Sequence, residues 1–142
     1  EWDIKVINLL RDGRGVANSL MKYQNINMEK AANEWKKTMN EISKTKTILK
    51  KNMSIDVRYE DLCQNTKEIL DSIFDFIEIE RMDSATELNI HQKHILGNPM
   101  RLNTINKIKL DEKWKHNLSQ EELSIFEKFA GRTNNQLSYS ST

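Results

Sequence analysis

Cysteine, proline and long apolar runs are scarce in this 142-residue sequence, and the scarcity excludes several classes of protein. Cys63 is the only cysteine, so the chain can form no internal disulfide and no zinc site built on cysteine pairs. No apolar run approaches the roughly 18 residues that cross a bilayer, so we predict no membrane segment in this chain. The first three residues, Glu1-Trp2-Asp3, lack the basic and apolar regions of a signal peptide.

Net charge is also low, because 22 Lys and Arg residues balance 21 Asp and Glu residues to give +1. A protein that binds nucleic acid along its surface carries a large basic excess, so we do not expect nucleic acid as a partner. Any anion site must therefore be local. The hydrophobic content of 37% and the charged content of 30% are typical of a folded globular chain of about one domain.

Two short segments have the pattern of β-strands. Residues 4–10 are apolar and rich in β-branched side chains, which is typical of a buried strand in a parallel sheet, and residues 54–59 alternate apolar and polar side chains. Apolar residues at helical spacing run from Met28 to about Lys50 between them. A strand, helix, strand unit is almost always parallel and right-handed, and it places ligands at the carboxyl ends of the strands.

Two further helices and a long loop are predicted in the second half. Asn65, with Glu68 three residues on, fits a helix N-cap, and the apolar face that follows is expected to be core. The periodicity fades over residues 80–113, which indicates a long loop. Ser119-Gln120-Glu121-Glu122 is a capping box that begins a terminal helix, and we expect that helix to stop near Gly131.

The stretch from Leu10 to Ser19 is the first candidate for a binding site. A strand ends in Arg11 and passes through a glycine-containing turn into a helix, where free backbone N–H groups and the helix dipole favour a bound phosphate. Arg11 adds charge-assisted hydrogen bonds, and Ser19 could bring a hydroxyl to the same anion. The residues alone leave an alternative open, in which a surface arginine pairs with Asp12 and binds nothing.

Two other groups of residues have weaker claims. The histidines at positions 91, 94 and 116 lack accompanying cysteines or a triad of acidic ligands, so we expect ordinary polar roles and no metal. The lysines between 36 and 51 alternate with glutamates, which is typical of a solvated helix face rather than a polyanion site. Trp35, on the opposite face, is expected to be core rather than an acceptor-stacking platform.

The sequence resembles one enzyme family in several segments. The segment from Val6 to Leu20 resembles the 3'-phosphate-binding segment of sulfotransferases that use 3'-phosphoadenosine 5'-phosphosulfate (PAPS). Four later segments match family elements in the same order: Tyr59-Glu60-Asp61-Leu62, Phe74-Asp75-Phe76-Ile77, His94-Ile95-Leu96-Gly97-Asn98-Pro99-Met100-Arg101 and Trp114-Lys115-His116-Asn117-Leu118-Ser119.

The resemblance implies both a fold and a set of site residues. The fold would be α/β and partly P-loop-NTPase-like, with few parallel strands and predominantly helical content. Residues 1–142 would form a single partial domain, the C-terminal part of a sulfotransferase domain, and would include the long loop at 80–113. Arg11 and Ser19 would hold the 3'-phosphate of PAPS or of its product PAP. Tyr59 would lie near the adenine, and Arg101 with the turn at Gly97 and Asn98 would close over the phosphate.

The sequence also departs from the family in ways that affect its activity. Gly13 replaces the commoner proline, and Gly15 stands where a larger residue is usual. The phosphosulfate loop and the catalytic base of the family lie upstream of the segment at 6–20, so we expect no catalytic residue here and no activity of the isolated chain. The acceptor is not specified, and either the cytoplasm or, with an upstream membrane anchor, the Golgi lumen would suit.

Two rival functions remain at this stage. A noncatalytic interaction module could keep the sulfotransferase scaffold without binding nucleotide. A dinucleotide-binding enzyme is disfavoured, because Gly13 and Gly15 are not followed by the third glycine of that fingerprint.

Overall fold

The computed structural model describes residues 4–81 and 109–139. Its elements, in chain order, are β1 (Val6–Leu10), α1 (Gly13–Gln24), α2 (Met28–Ile48), β2 (Ser54–Arg58), α3 (Tyr59–Gln64), α4 (Thr66–Ile77), α5 (Trp114–Asn117), α6 (Gln120–Phe126), a π-helical segment (Glu127–Gly131) and α7 (Arg132–Gln136). The two strands pair in a small parallel sheet and the remaining elements are helical. The prediction of a mainly helical α/β fold with few parallel strands is confirmed.

The chain divides into two compact units. One comprises Glu1–Asp56 and Asp111–Thr142, and the other comprises Val57–Leu110, so the boundary falls inside β2. Most of the loop predicted at 80–113 lies outside the described residues, and the single partial domain stays a prediction. None of the helices in the two described ranges combines the length and the apolar character that a bilayer crossing demands.

The hydrophobic core of the first unit lies where α1, α2 and the C-terminal helices meet. Its buried members are Ala17, Met28, Ala31, Ala32, Trp35, Trp114, Leu118, Phe126 and Ala130. The rings of Trp35 and Phe126 pack at a tilt, with their centroids 5.9 Å apart. Trp35 is therefore a core residue, as the sequence predicts.

The starts of α2 and α6 have side-chain caps, whereas Asn65 precedes α4, as predicted, but makes no side-chain capping bond. The Asn27 side chain accepts a hydrogen bond from the Lys30 amide at the start of α2. The capping box at Ser119 is present, with Ser119 and Glu122 each bonded to the backbone of the other. The expected stop near Gly131 is wrong: Gly131 has helical dihedrals, and the helix continues to Gln136. A glycine inside a helix costs only about 1 kcal/mol relative to alanine, so it does not oblige the helix to end.

Two apolar faces are less buried than the sequence predicts. In β1, Asn8 and Leu10 are buried while Ile7 and Leu9 are exposed, because alternate side chains of a strand point to opposite faces and only one face is covered. Helix α4, in the second unit, has no buried residue. Within that unit α4 packs on the short helix α3, which is only six residues long and covers part of its apolar face.

Candidate functional site

The turn after β1 is held by hydrogen bonds within the protein. The Asp12 carboxylate caps α1, its Oδ1 accepting the Arg14 amide at 2.9 Å. The Gly13 amide donates to Oδ1 of Asn134 at 2.9 Å. These two N–H groups at the start of α1 are thus already bonded, so neither of them is free to bind a phosphate.

Asp12 and Arg14 form a buried ion pair. The distance from Nη2 of Arg14 to Oδ2 of Asp12 is 2.7 Å, and the two side chains are 10% and 11% exposed. The Arg14 guanidinium also lies 4.3 Å from the centroid of the Trp114 ring. The surface pair considered from the sequence is therefore replaced by a buried one, and the Asp12 carboxylate supplies the negative charge that the helix dipole favours.

Arg11 lies at the carboxyl end of β1 with its side chain partly exposed. Its Nη2 donates to the backbone oxygen of Asp111 at 2.7 Å and lies 3.5 Å from the Oδ2 of the same residue. Its guanidinium also lies against Gly15, where an added Cβ would be 3.0 Å from Nε and 3.3 Å from Cζ. Gly15 therefore leaves the space that the Arg11 side chain occupies.

Ser19 reaches the same glycine from the next turn of α1. Its hydroxyl donates to the Gly15 backbone oxygen at 3.1 Å. Arg11 and Ser19, which are eight residues apart in sequence, thus both contact Gly15. Arg11 at the carboxyl end of β1 and Ser19 one turn along α1 therefore lie on either side of the same residue.

The other predicted residues are placed differently. Tyr59 begins α3 in the second unit, where its hydroxyl donates to the Lys109 backbone oxygen at 3.3 Å. Gly97, Asn98 and Arg101 lie outside the described residues, as do the histidines at 91 and 94. Residues 4–81 and 109–139 contain no cluster of three His, Cys, Asp or Glu side chains that could hold a metal ion.

The lysines of α2 form a mixed-charge surface. Lys36 donates to the Phe129 backbone oxygen at 3.2 Å. Lys44 pairs with Glu41 on the same helix, and Lys46 pairs with Asp56. These contacts are typical of a solvated helix face and do not gather positive charge at one point.

The turn at 11–19 lies in a segment that matches a known protein family. A family model described as "Sulfotransferase family" matches residues 3–84, which is more than half of the chain. The chain belongs to the sulfotransferase family. The matched residues of this sulfotransferase-family chain include Arg11, Ser19 and Tyr59, and they end before Gly97.

A solved structure shares the fold of this sulfotransferase-family chain. It is described as "Sulfotransferase Domain from the Curacin Biosynthetic Pathway", and it superposes with a TM-score of 0.63 at 19% sequence identity. The superposition covers 97% of this chain and 54% of that one, so the chain spans about half the length of the solved domain. No curated protein matches the sequence at a significant level.

The departure of this sulfotransferase-family chain at position 13 has a structural reason. A Cβ on Gly13 would lie 2.6 Å from Cζ of Phe126 and 2.8 Å from ring atoms of Trp35. The Gly13 amide is also the donor to Asn134, and proline has no such donor. Glycine at this position therefore suits both the packing and the hydrogen bond, and proline suits neither.

Sequence reasoning missed two residues that hold the turn. Asp111 contacts Arg11 from 100 residues away, and Asn134 contacts Gly13 from 121 residues away. No local pattern marks either residue, since an aspartate near a helix start and an asparagine near a helix end are both common. Only the tertiary fold connects them with the turn.

Proposed function

We propose that this chain is the nucleotide-binding part of a sulfotransferase that moves a sulfuryl group from PAPS to a hydroxyl or amine. In this proposal Arg11 and Ser19 bind the 3'-phosphate of PAPS and of the product PAP. The observation that carries it is the meeting of the two side chains on Gly15, at the carboxyl end of a parallel strand. Ligands of α/β sheets bind at that end.

The chemistry of the two side chains suits a phosphate. A guanidinium has five N–H donors in a planar fork that matches phosphate oxygens, and a serine hydroxyl can rotate from one acceptor to another. Ser19 could thus turn from the Gly15 oxygen to a phosphate oxygen. Both side chains would act without the two amides that Asp12 and Asn134 already occupy.

Asp111 would affect this site in two opposing ways. Its backbone oxygen orients the Arg11 guanidinium before any ligand arrives, which reduces the ordering cost of binding. Its carboxylate, 3.5 Å from Nη2, would repel a nearby phosphate. The backbone contact is the shorter of the two, so we expect the orienting effect to dominate.

The remaining parts of the proposal are supported by the resemblance. Tyr59 would contact the adenine, and Gly97, Asn98 and Arg101 would close over the phosphate. The acceptor would be a carbohydrate, a protein tyrosine or a small molecule. Sulfuryl transfer needs a base for the acceptor and a cation for the developing charge, and sequence reasoning assigns neither to this chain. We therefore propose that these 142 residues bind the nucleotide without transferring the sulfuryl group.

Calorimetric titration of the purified chain with 3',5'-ADP tests the proposal. Arg11→Ala should weaken binding by about 30-fold or more, because it removes charge-assisted hydrogen bonds worth about 2 kcal/mol. Ser19→Ala should have a smaller effect, about fivefold, because the Ser19 hydroxyl is a neutral donor to the phosphate, whereas the Arg11 guanidinium is a charged one. Arg81→Ala is the matched control, since it removes an equal charge from an exposed arginine in the second unit.

Three outcomes would contradict the proposal. Failure of the wild-type chain to bind 3',5'-ADP would favour the noncatalytic interaction module instead. Equal affinity of the wild type and Arg11→Ala would show that Arg11 does not hold the phosphate. Turnover of PAPS by the purified chain would show that it holds catalytic residues of its own.

A further inference from the structure

Asn134 has a buried side chain that forms hydrogen bonds with the start of α1 and with the backbone of Tyr139. It is 2% exposed, and its Oδ1 accepts the Gly13 amide at 2.9 Å. Its Nδ2 lies 3.5 Å from Oδ1 of Asp12 and 3.3 Å from the backbone oxygen of Tyr139. The orientation of the amide is fixed, because an N–H donor faces one end and two oxygens face the other.

The π-helical segment explains how Asn134 reaches the turn. In an α-helix, a residue eight positions after Phe126 would lie about 80° further around the axis. The segment Glu127–Gly131 is wound more loosely, so it turns the chain less per residue and returns position 134 towards the side of Phe126 and Ala130. All three of these residues are buried. π-Helical segments of this kind often occur at functional sites.

The residues that Asn134 holds lie between the two proposed phosphate ligands. Asp12 and Gly13 follow Arg11 directly, and they set the direction in which α1 carries Gly15 and Ser19. The backbone at 12 and 13 therefore determines how the Arg11 guanidinium and the Ser19 hydroxyl are placed with respect to each other. An error of about 1 Å in such placement is enough to lower the efficiency of a site.

We infer that Asn134 is a positioning residue for the 3'-phosphate site, acting through the Gly13 amide and the Asp12 carboxylate. The inference rests on the proposed function of Arg11 and Ser19. Asn134 itself would not touch the nucleotide, because it is buried behind the turn. Its removal would leave the Gly13 amide without its acceptor, so the turn would relax and the two ligands would lose their mutual placement.

The experiment compares two nucleotides that differ only in the 3'-phosphate. Dissociation constants for 3',5'-ADP and for 5'-AMP would be measured by calorimetry for the wild-type chain, Asn134→Ala and Asn134→Ser. The dissociation constant for 5'-AMP divided by that for 3',5'-ADP reports how strongly the 3'-phosphate is held. Gln136→Ala is the matched control, because Gln136 is an exposed amide on the same helix.

We expect Asn134→Ala to lower this ratio by about tenfold or more, with 5'-AMP affinity nearly unchanged and the control ratio equal to that of the wild type. Asn134→Ser should give an intermediate ratio, since its hydroxyl can accept a hydrogen bond from the Gly13 amide. Circular dichroism would show whether each variant is folded. If Asn134→Ala does not fold, the serine variant decides by the same ratio.

The possible failures are distinguishable. A wild-type ratio near one would refute the proposed function, and the inference with it. A high ratio that Arg11→Ala abolishes and both Asn134 variants retain would refute the inference alone. Equal weakening of both nucleotides would show that Asn134 serves only the stability of the fold, and it would also overturn the inference.

Discussion

Removal of the Arg14 side chain tests whether the turn depends on a buried ion pair. Replacement by methionine keeps an unbranched side chain of similar length but leaves the Asp12 carboxylate, 11% exposed, without its cationic partner. The carboxylate would keep its hydrogen bonds from the Arg14 amide and the Asn134 side chain but lose the guanidinium charge beside it, and that loss is costly at a buried site. We expect Arg14→Met to be among the most destabilising single substitutions in this turn.

The magnitude follows from the geometry. Loss of one partner from a buried, hydrogen-bonded pair costs about 3–5 kcal/mol, whereas an exposed pair contributes about 0–1 kcal/mol. The 2.7 Å contact and the near-complete burial of both side chains place this pair in the first class. Loss of the contact with the Trp114 ring would add to the cost. The free energy of unfolding of a domain is about 5–15 kcal/mol, so the variant should lose a substantial part of its stability.

Urea unfolding, followed by circular dichroism, would measure the effect. With a slope of about 1–3 kcal/mol per molar urea, the midpoint of Arg14→Met should fall by about 2 M. The double variant Asp12→Asn with Arg14→Met should recover much of the lost midpoint. It removes the Asp12 charge that no longer has the guanidinium beside it, and asparagine can still cap α1. Lys44→Met, which breaks an exposed pair, is the control and should leave the midpoint unchanged.

Two results would refute this reasoning. One is a shift for Arg14→Met as small as that of Lys44→Met, which would mean that the pair behaves like a surface pair. The other is a double variant less stable than Arg14→Met alone, which would mean that the Asp12 carboxylate is stabilising without its partner.

Two further predictions concern position 13 and the end of α4. Gly13→Ala should lower the free energy of unfolding by about 1–3 kcal/mol, because the new Cβ would clash with Phe126 and Trp35. Gly13→Pro should lower it by about 1–3 kcal/mol more, because the Asn134 oxygen also loses its donor. Equal urea midpoints for the two variants would contradict the role given to that hydrogen bond. Hydrogen bonding from Arg81 holds the pKa of Asp75 below its ordinary value, so this contact stabilises the folded state above the ordinary pKa and the effect is lost as the pH falls through the lowered one. Arg81→Gln should raise the pKa of Asp75 in a carboxyl NMR titration, and an unchanged value would show that Arg81 is not the cause.

Regular elements could be predicted because their signals are local. The apolar pattern of α2 and the capping box of α6 lie within a few residues of the ends they define, and the structure agrees with both. The places of Arg11 at the end of a strand and of Ser19 in the helix that follows were predictable in the same way. Burial was predicted less well, because exposure of Leu9 depends on what covers the sheet and not on the strand itself.

The supports of the turn could not be predicted, since they come from the other end of the chain. Arg14 has the same sequence features as a surface arginine, and no local pattern shows that it lies against Trp114, 100 residues later. Gly131 has the features of a helix stop, so the sequence does not indicate that the helix continues through it to Asn134. Side chains that act through long-range contacts leave no periodic signal.

The use of the helix amides determines how the proposed site must work. At a helix start with free amides, backbone N–H groups and the dipole bind a phosphate even when a nearby arginine is lost. Here the Gly13 and Arg14 amides are bonded to Asn134 and Asp12, and the Asp12 carboxylate already occupies the positive end of the dipole. A phosphate at this turn would therefore depend on side chains, and above all on Arg11. Undiminished affinity for 3',5'-ADP in Arg11→Ala would mean that the phosphate lies elsewhere, whatever the affinity of the wild type.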